Sequence, residues 1–181
     1  MVIMTSGCVI LPNKEIIYKD SDVEVVRHES FAMLADTGSI SYQLIALGHN
    51  YMLSDWIDYS SNGCKGFVRT PDGSAIIFIT KSPQKPQAGM VTGVVHVIDF
   101  KSKSDIEVPL AIKYMVVDAH IFVKSYDGKK IELFMNSSSY AVSSGDSGIG
   151  LKANLEIDLE AKRVTKFDNI NNSDLKSTLA P

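Results

Sequence analysis

Hydrophobic and polar residues alternate with a period of two along several short stretches of the chain. The clearest is ANLEIDL at residues 153–159, where the apolar side chains share one face and the polar ones share the other. SISYQLIAL from Ser39 and VVHVIDF from Val94 alternate in the same way. This pattern predicts β-strands with one face on a core. We count about ten candidate strands, and no segment carries the 3.6-residue period of a secure helix.

One hairpin sequence occurs twice. FVRTPDGSAIIFI occupies residues 67–79, and FVKSYDGKKIELFM occupies residues 122–135. Both place Asp-Gly between two strand-like runs, which is a strong signal for a hairpin. In the second copy, Asp127-Gly128 predicts a two-residue type I′ turn. The likeness extends to the next strand pair, because Ile-Asp followed by Phe or Leu recurs at residues 98–100 and 157–159.

Other segments predict where strands are covered, exposed or interrupted. AIIFI at residues 75–79 is apolar at every position, which predicts a central strand covered on both faces. Pro109 cannot donate a hydrogen bond to a ladder, so the strand IEVPLAI is expected at a sheet edge. Residues 81–90 carry two prolines and residues 136–150 are rich in Ser and Gly, so both are expected to be long loops.

Together the patterns predict an all-β fold, an antiparallel two-sheet sandwich of about ten strands with an internally repeated hairpin unit. The alternative is an arrangement of propeller-like blades, for which strand–Asp-Gly–strand units are typical. A single domain is expected over residues 13–167. Residues 1–12 are expected to form a tether or flexible segment, and residues 168–181 a flexible C-terminal tail.

Composition narrows the classes of function. The chain has 181 residues and a formal net charge of −3, so it is long enough for a core but lacks the basic surface of nucleic-acid binders. It has no run of about 18 apolar residues, so no helix is expected to span a membrane. No glycine-rich phosphate loop, dinucleotide fingerprint or HExxH motif occurs, and we expect no cofactor and no metal.

Cys8 follows a distinctive N-terminal segment. In MVIMTSGC a short apolar stretch precedes Ser-Gly-Cys, which resembles the end of a bacterial lipoprotein signal, with Thr5 where leucine is commonest. The resemblance implies a lipid on Cys8 and a periplasmic or outer-membrane-anchored protein; otherwise a cytoplasmic one is expected. The alternative for this segment is a first strand or a loosely held terminus. Cys64 is the other cysteine, so the two form either one disulfide or two unrelated thiols.

The string Gly-Asp-Ser-Gly at residues 145–148 resembles the nucleophile segment of trypsin-like serine proteases. The resemblance implies a triad in the chain order histidine, aspartate, serine, which His49, Asp99 and Ser147 would supply. In that mechanism the serine attacks a carbonyl, the histidine takes its proton and the aspartate orients the histidine. Ile149 stands where the family has a second glycine. The alternative is an ordinary solvated loop.

The remaining histidines and carboxylates favour structural roles. His96 lies on an apolar strand face and is expected to be a core histidine with satisfied hydrogen bonds. His120 and Asp118 would share a face, but a metal or acid–base role needs a third partner that the sequence does not place. Three carboxylates at residues 156–160 predict either the solvated face of a sheet or an acidic patch for a basic partner.

These observations favour a non-enzymatic protein-binding domain of the bacterial cell envelope, with a lipid-anchored immunity or inhibitor protein as one concrete form. Its expected partner is another protein and not nucleic acid, and its only membrane contact would be the lipid anchor. One alternative is a serine hydrolase that uses Ser147. Another is a sandwich that binds a small solute or a carbohydrate. The segments 81–90 and 136–150 are the candidate contact surfaces.

Overall fold

The fold consists of β-strands and turns in all the residues that the structure describes. The computed structural model describes residues 4–5, 8–32, 37–54, 66–81, 91–112, 114–117, 120–142 and 147–169. The predicted all-β class is confirmed for these residues, which contain no helix that could cross a membrane. The chain divides into two compact units, Met1–Asp55 and Trp56–Pro181.

The first unit is one antiparallel sheet whose strands follow one another in chain order. The strands are β1 Met4–Thr5, β2 Cys8–Lys19, β3 Val23–Ala32, β4 Thr37–Ala46 and β5 His49–Met52. Leu47 and Gly48 form the two-residue turn between β4 and β5. Both have positive φ, 50° and 79°, which is the backbone that a type I′ hairpin needs.

The second unit contains two antiparallel sheets. The first, the β6–β9 sheet, consists of β6 Val68–Arg69, β7 Ala75–Lys81, β8 Val91–Asp99 and β9 Ser104–Ile112. The second, the β10–β14 sheet, consists of β10 Tyr114–Val117, β11 His120–Tyr126, β12 Lys130–Val142, β13 Ser147–Asp158 and β14 Arg163–Asn169. Strands β10 and β11 both pair with β12, one after the other along its length.

The two sheets of the second unit repeat one strand order. The order β6-β7-β8-β9 corresponds to β11-β12-β13-β14, and β6 lies near β11 while β9 lies near β14. The first strands of the two repeats are therefore neighbours, and so are their last strands. Two antiparallel sheets with nine strands agree broadly with the predicted two-sheet sandwich of about ten. The blades of a propeller also repeat one strand order. The propeller-like alternative therefore predicts the same local pattern of strands.

A single domain over residues 13–167 stays a prediction, and the chain divides within that range into the two compact units that meet between Asp55 and Trp56. Strand β2 begins at Cys8, inside the segment 1–12 that was expected to be a tether or flexible, because Cys8 and Val9 pair with β1 and the ladder with β3 begins at Ile10. Strand β14 continues to Asn169, because that residue still pairs with Ala153. Residues 170–181 of the expected tail lie outside the described residues.

Burial follows the predicted roles of β7 and β9. Residues 75–80 of β7 are buried at every position, so this strand is covered on both faces as its apolar run predicts. Pro109 lies on β9, which is the last strand of its sheet, and the predicted edge position is confirmed. In the β10–β14 sheet one face is buried, with a core of Ile131, Leu133, Met135, Ala153, Leu155 and Ile157.

The Ser- and Gly-rich residues 136–150 are mostly strand, and the prediction of a long loop is wrong for 136–142 and 147–150. Strands β12 and β13 remain paired from Lys130 opposite Asp158 to Ala141 opposite Ser147. Strand propensity depends strongly on context, and continuous pairing along two long strands outweighs a composition that disfavours strands.

In the second unit an aspartate accepts hydrogen bonds in the β6–β7 turn and in the β11–β12 turn. The Oδ1 atom of Asp72 accepts from the N–H of Ser74 at 3.1 Å, and Oδ1 of Asp127 accepts from the N–H of Lys129 at 2.8 Å. The following glycine has positive φ in both turns, 70° and 86°. A carboxylate that caps its own turn in this way is a local alternative to ladder pairing.

The β8–β9 turn and the β13–β14 turn also match. Asp99 and Asp158 each accept a hydrogen bond from the N–H three residues further on, at 2.7 Å and 2.8 Å. Lys103 and Lys162, four residues after each aspartate, have positive φ of 54° and 50°. The internal repeat predicted from the two Asp-Gly hairpins and the two Ile-Asp segments is therefore a repeat of structure.

The Asp127-Gly128 turn is longer than the predicted two-residue type I′ turn. The pair Tyr126 and Ile131 flanks it, and Gly128 is the residue of this turn with positive φ. A type I′ turn would need positive φ at Asp127 as well. The Asp127 carboxylate instead accepts from the N–H groups of Lys129 and Lys130, which opens the turn.

Asp72 makes the stability of its turn depend on pH. Hydrogen bonds, first from the Thr70 hydroxyl and then from Ser74, lower the pKa of Asp72 from 3.8 to about 2. Because the pKa is lowered by folding, this stabilisation is complete above about pH 4 and is lost as the pH falls through about 2. We expect Asp72→Asn to melt below the wild type at neutral pH, with the two melting temperatures converging as the pH approaches 2. Parallel melting curves across that range would contradict this role.

Candidate functional site

The three residues of the predicted serine-protease triad lie on different strands. His49 is exposed at the start of β5 in the first unit. Asp99 ends β8 and Ser147 begins β13, both in the second unit. Ser147 pairs with Ala141 in the ladder between β12 and β13, whereas the sequence predicts a loop for this segment. A triad of these residues stays a prediction.

The carboxylate of Asp99 stabilises the turn between β8 and β9. This carboxylate accepts a hydrogen bond from the N–H of Ser102, and this bond is the main reason that its pKa lies below the ordinary value. Burial raises the pKa of Tyr126 most, and the nearby carboxylates of Asp99 and Asp72 raise it further. Asp99 therefore belongs to the end of the second unit at which its hairpin turns lie.

Cys8 is the first residue of β2, and it pairs with Thr5 of β1. A lipid on this residue would therefore extend from the end of a strand. Cys64 and Asp118 lie outside the described residues, as do residues 82–90 of the expected contact loop and the first two residues of the Gly-Asp-Ser-Gly string.

The acidic stripe predicted at residues 156–160 is balanced by lysines. Lys130 on the neighbouring strand places its Nζ 3.7 Å from Oε1 of Glu156. Lys129 places its Nζ 3.1 Å from Oε1 of Glu160. These carboxylates therefore form a solvated face of mixed charge, and they do not form a uniformly acidic patch.

That solvated side of the β10–β14 sheet, opposite the core, contains an aromatic pair in which Phe122 is exposed and Phe134 is half-buried. We call it the outer face, and we define it by seven residues on strands β11, β12 and β13: Phe122, Lys124, Lys130, Glu132, Phe134, Asn154 and Glu156. The ring of Phe122 is opposite that of Phe134, with centroids 6.2 Å apart, and Phe122 remains 45% exposed. Sequence alternation predicted a polar outer face, and the aromatic pair depends on a register that the sequence does not specify.

A β-bulge shapes this face. The pairing of β11 with β12 shifts between Val123 and Ser125, which leaves Lys124 as the extra residue. The Nζ of Lys124 donates to Oδ1 of Asn154 on β13 at 3.3 Å. The lysine stem therefore crosses the outer face over β12 beside the aromatic pair.

A second polar cluster surrounds His96 on β8. Its Nε2 lies 3.0 Å from Oγ1 of Thr80 on β7, and its Nδ1 lies 3.0 Å from Oδ2 of Asp105 on β9. The ring stacks on Phe78, which is opposite His96 in the ladder, with centroids 4.9 Å apart. The predicted core histidine with satisfied hydrogen bonds is confirmed.

Thr80, His96 and Asp105 are linked by hydrogen bonds in the same order as the nucleophile, the base and the orienting acid of a hydrolase triad. Thr80 is only 9% exposed, so a substrate carbonyl could reach its hydroxyl only after the strand moved. The carboxylates differ, because the side chain of Asp105 is 22% exposed and that of Glu107 is 63% exposed. The cluster opens to solvent at the edge strand and is closed at the hydroxyl end.

The sequence alone missed Asp105 and Glu107 as partners of His96. The feature that could have identified these partners is the length of the turn between β8 and β9. The pair Asp99 and Ser104 closes this turn and sets the register of the two strands. From that pair onward the ladder places Glu107 directly opposite His96, and it places Asp105 two pairs nearer the turn and on the same face. The segment KSKSD at residues 101–105 is polar, which predicts a turn but does not specify its pairing.

Comparison with known proteins gives no family assignment. No protein-family model matches the chain, and no curated protein sequence is similar to it. Function is therefore inferred from the geometry of the outer face and of the His96 cluster.

Proposed function

We propose that the chain is a non-enzymatic protein-binding domain and that the outer face of the β10–β14 sheet contacts the partner. The observation that carries the proposal is the exposure of Phe122 next to Phe134 on that face. Aromatic side chains contribute large contact area at little conformational cost, and they are enriched among the residues that dominate binding energy.

The charges around the aromatic pair support the same function. Lys124 and Lys130 contribute positive charge, and Glu132 and Glu156 contribute negative charge, with Lys130 and Glu156 in contact. Such a mixed polar rim around an apolar centre is the usual anatomy of a protein interface. Mixed charge favours one complementary partner surface and not a uniformly basic or acidic polymer.

The rigidity of the sheet adds further support. Strands β12 and β13 are paired over almost their whole length, and their opposite sides are buried in the core. A partner would therefore meet a surface that is already ordered, which lowers the entropy lost on binding. A lipid anchor at Cys8, a place in the cell envelope and an inhibitory or immunity role stay predictions from the sequence.

Phe122→Ser tests the proposal in a capture experiment with lysate of the source organism, read by quantitative mass spectrometry. We expect the wild-type chain to capture one stoichiometric protein, and we expect Phe122→Ser to weaken that capture by more than about tenfold. The matched control is Ile40→Ser, because Ile40 is also an exposed apolar strand residue, 53% exposed, in the first unit.

The pattern across the variants decides the outcome. Capture that is retained by Ile40→Ser and lost by Phe122→Ser supports the outer face as the binding surface. Equal capture by all three proteins, capture lost only by Ile40→Ser, or capture of further copies of the chain would contradict the proposal. Circular dichroism of each variant separates a binding defect from a folding defect.

A further inference from the structure

One cluster in the second unit combines a buried imidazole with two carboxylates. The Nδ1 atom of His96 lies 3.0 Å from Oδ2 of Asp105 and 3.9 Å from Oε1 of Glu107. Ligand atoms of all three residues lie within 4.8 Å of one another. These residues are on two adjacent strands, so the ladder between β8 and β9 holds their relative positions.

We propose that His96, Asp105 and Glu107 form a binding site for a divalent transition-metal ion of the zinc class. Zinc binds histidine nitrogen and carboxylate oxygen at about 2.0–2.2 Å, and ligands at tetrahedral angles then lie about 3.3 Å apart. The observed separations of 3.0 and 3.9 Å lie on either side of that spacing. Small rotations of the two carboxylates are enough to enclose an ion.

Thr80 holds the imidazole in the orientation that a metal ligand needs. Its hydroxyl oxygen lies 3.0 Å from Nε2, so it can accept a hydrogen bond from the Nε2–H, and the Nδ1 lone pair is then directed at the carboxylates. A histidine that binds a metal ordinarily donates its other ring N–H to a fixed acceptor in this way. Metal binding then replaces the hydrogen bond between Nδ1 and Asp105, and any proton on Nδ1 is released.

Exposure within the cluster supplies a route for the ion. The side chain of His96 is 6% exposed, whereas that of Glu107 is 63% exposed on an edge strand. The ion would approach from solvent past Glu107 and end against the buried nitrogen. The donor set also selects the ion, because imidazole suits zinc and its neighbours, whereas magnesium and calcium prefer oxygen ligands alone.

The test is calorimetric titration of Zn²⁺ into the full chain after treatment with EDTA and dialysis. Glu107→Gln removes one ligand at an exposed position, and we expect it to weaken zinc binding by more than about tenfold. Asp105→Asn should have a similar effect. Glu15→Gln is the matched control, because Glu15 is a strand carboxylate on β2 whose side chain is 60% exposed, and it should keep the wild-type isotherm.

The variants are melted without zinc first, so that a loss of folding is not read as a loss of binding. Zinc that binds the wild type and Glu15→Gln equally, but binds Glu107→Gln more weakly, supports the site. Superimposed isotherms for the wild type and Glu107→Gln would overturn it, since other histidines and the cysteines would then account for the binding. Magnesium that binds as tightly as zinc would overturn the assigned class of ion.

Discussion

Leu133→Ala is expected to lower the free energy of unfolding by about 3 kcal/mol, within the range of 2–5 kcal/mol for leucine truncation in a core. Leu133 is 1% exposed on β12, where it pairs with Val123 on one side and Leu155 on the other. Truncation removes buried apolar area and leaves a cavity that two paired strands cannot close. Urea unfolding followed by circular dichroism measures the change.

The neighbouring residue is the control for Leu133. Glu132 lies on the opposite face of the same strand and is exposed, so Glu132→Ala should change the free energy of unfolding by less than about 0.5 kcal/mol. Equal effects of the two substitutions would mean that the faces of β12 are not assigned correctly. The assignment of the outer face would then fail as well.

Gly93→Ala is expected to destabilise the second unit by about 1–3 kcal/mol, which is typical of overpacking in a core. A Cβ at position 93 would lie 2.8 Å from Cγ2 of Ile79 and 3.0 Å from the carbonyl oxygen of Thr80. The first neighbour is a stiff β-branched side chain and the second is backbone, so neither can move aside at little cost. Urea unfolding of the variant measures the loss.

A double-mutant cycle separates this clash from other effects at position 93. Ile79→Ala removes the Cγ2 atom that the new Cβ would meet, so Gly93→Ala should cost less in that background than in the wild type. The Thr80 carbonyl remains, and part of the cost should remain with it. Strictly additive effects would contradict a clash with Ile79.

Local patterns predicted much of the fold. Alternation at residues 153–159 and the apolar run at 75–79 placed β13 and β7 correctly, because burial on one face or on both directly shapes those patterns. The Asp-Gly hairpins revealed the repeat. The long pairing of β12 with β13 was missed, since it depends on partners distant in sequence that outweigh the local preference of Ser and Gly.

The candidate sites were harder to predict than the strands. His96 was correctly interpreted as a core residue, but the approach of Asp105 and Glu107 depends on the register of β9 against β8. The pairing of Phe122 with Phe134 depends likewise on the turn at Asp127, which differs from the predicted type. A shift of one residue in register moves every side chain to the other face, so turn geometry decides these sites.

The most direct test of the central claim is hydroxyl-radical footprinting of the chain, alone and in complex with the protein it captures. We predict that oxidation of Phe122 and Phe134 falls on binding, while exposed Met52 and Ile40 of the first unit are oxidised as before. Unchanged oxidation of Phe122, together with protection of Met52 or Ile40, would contradict the outer face as the binding surface.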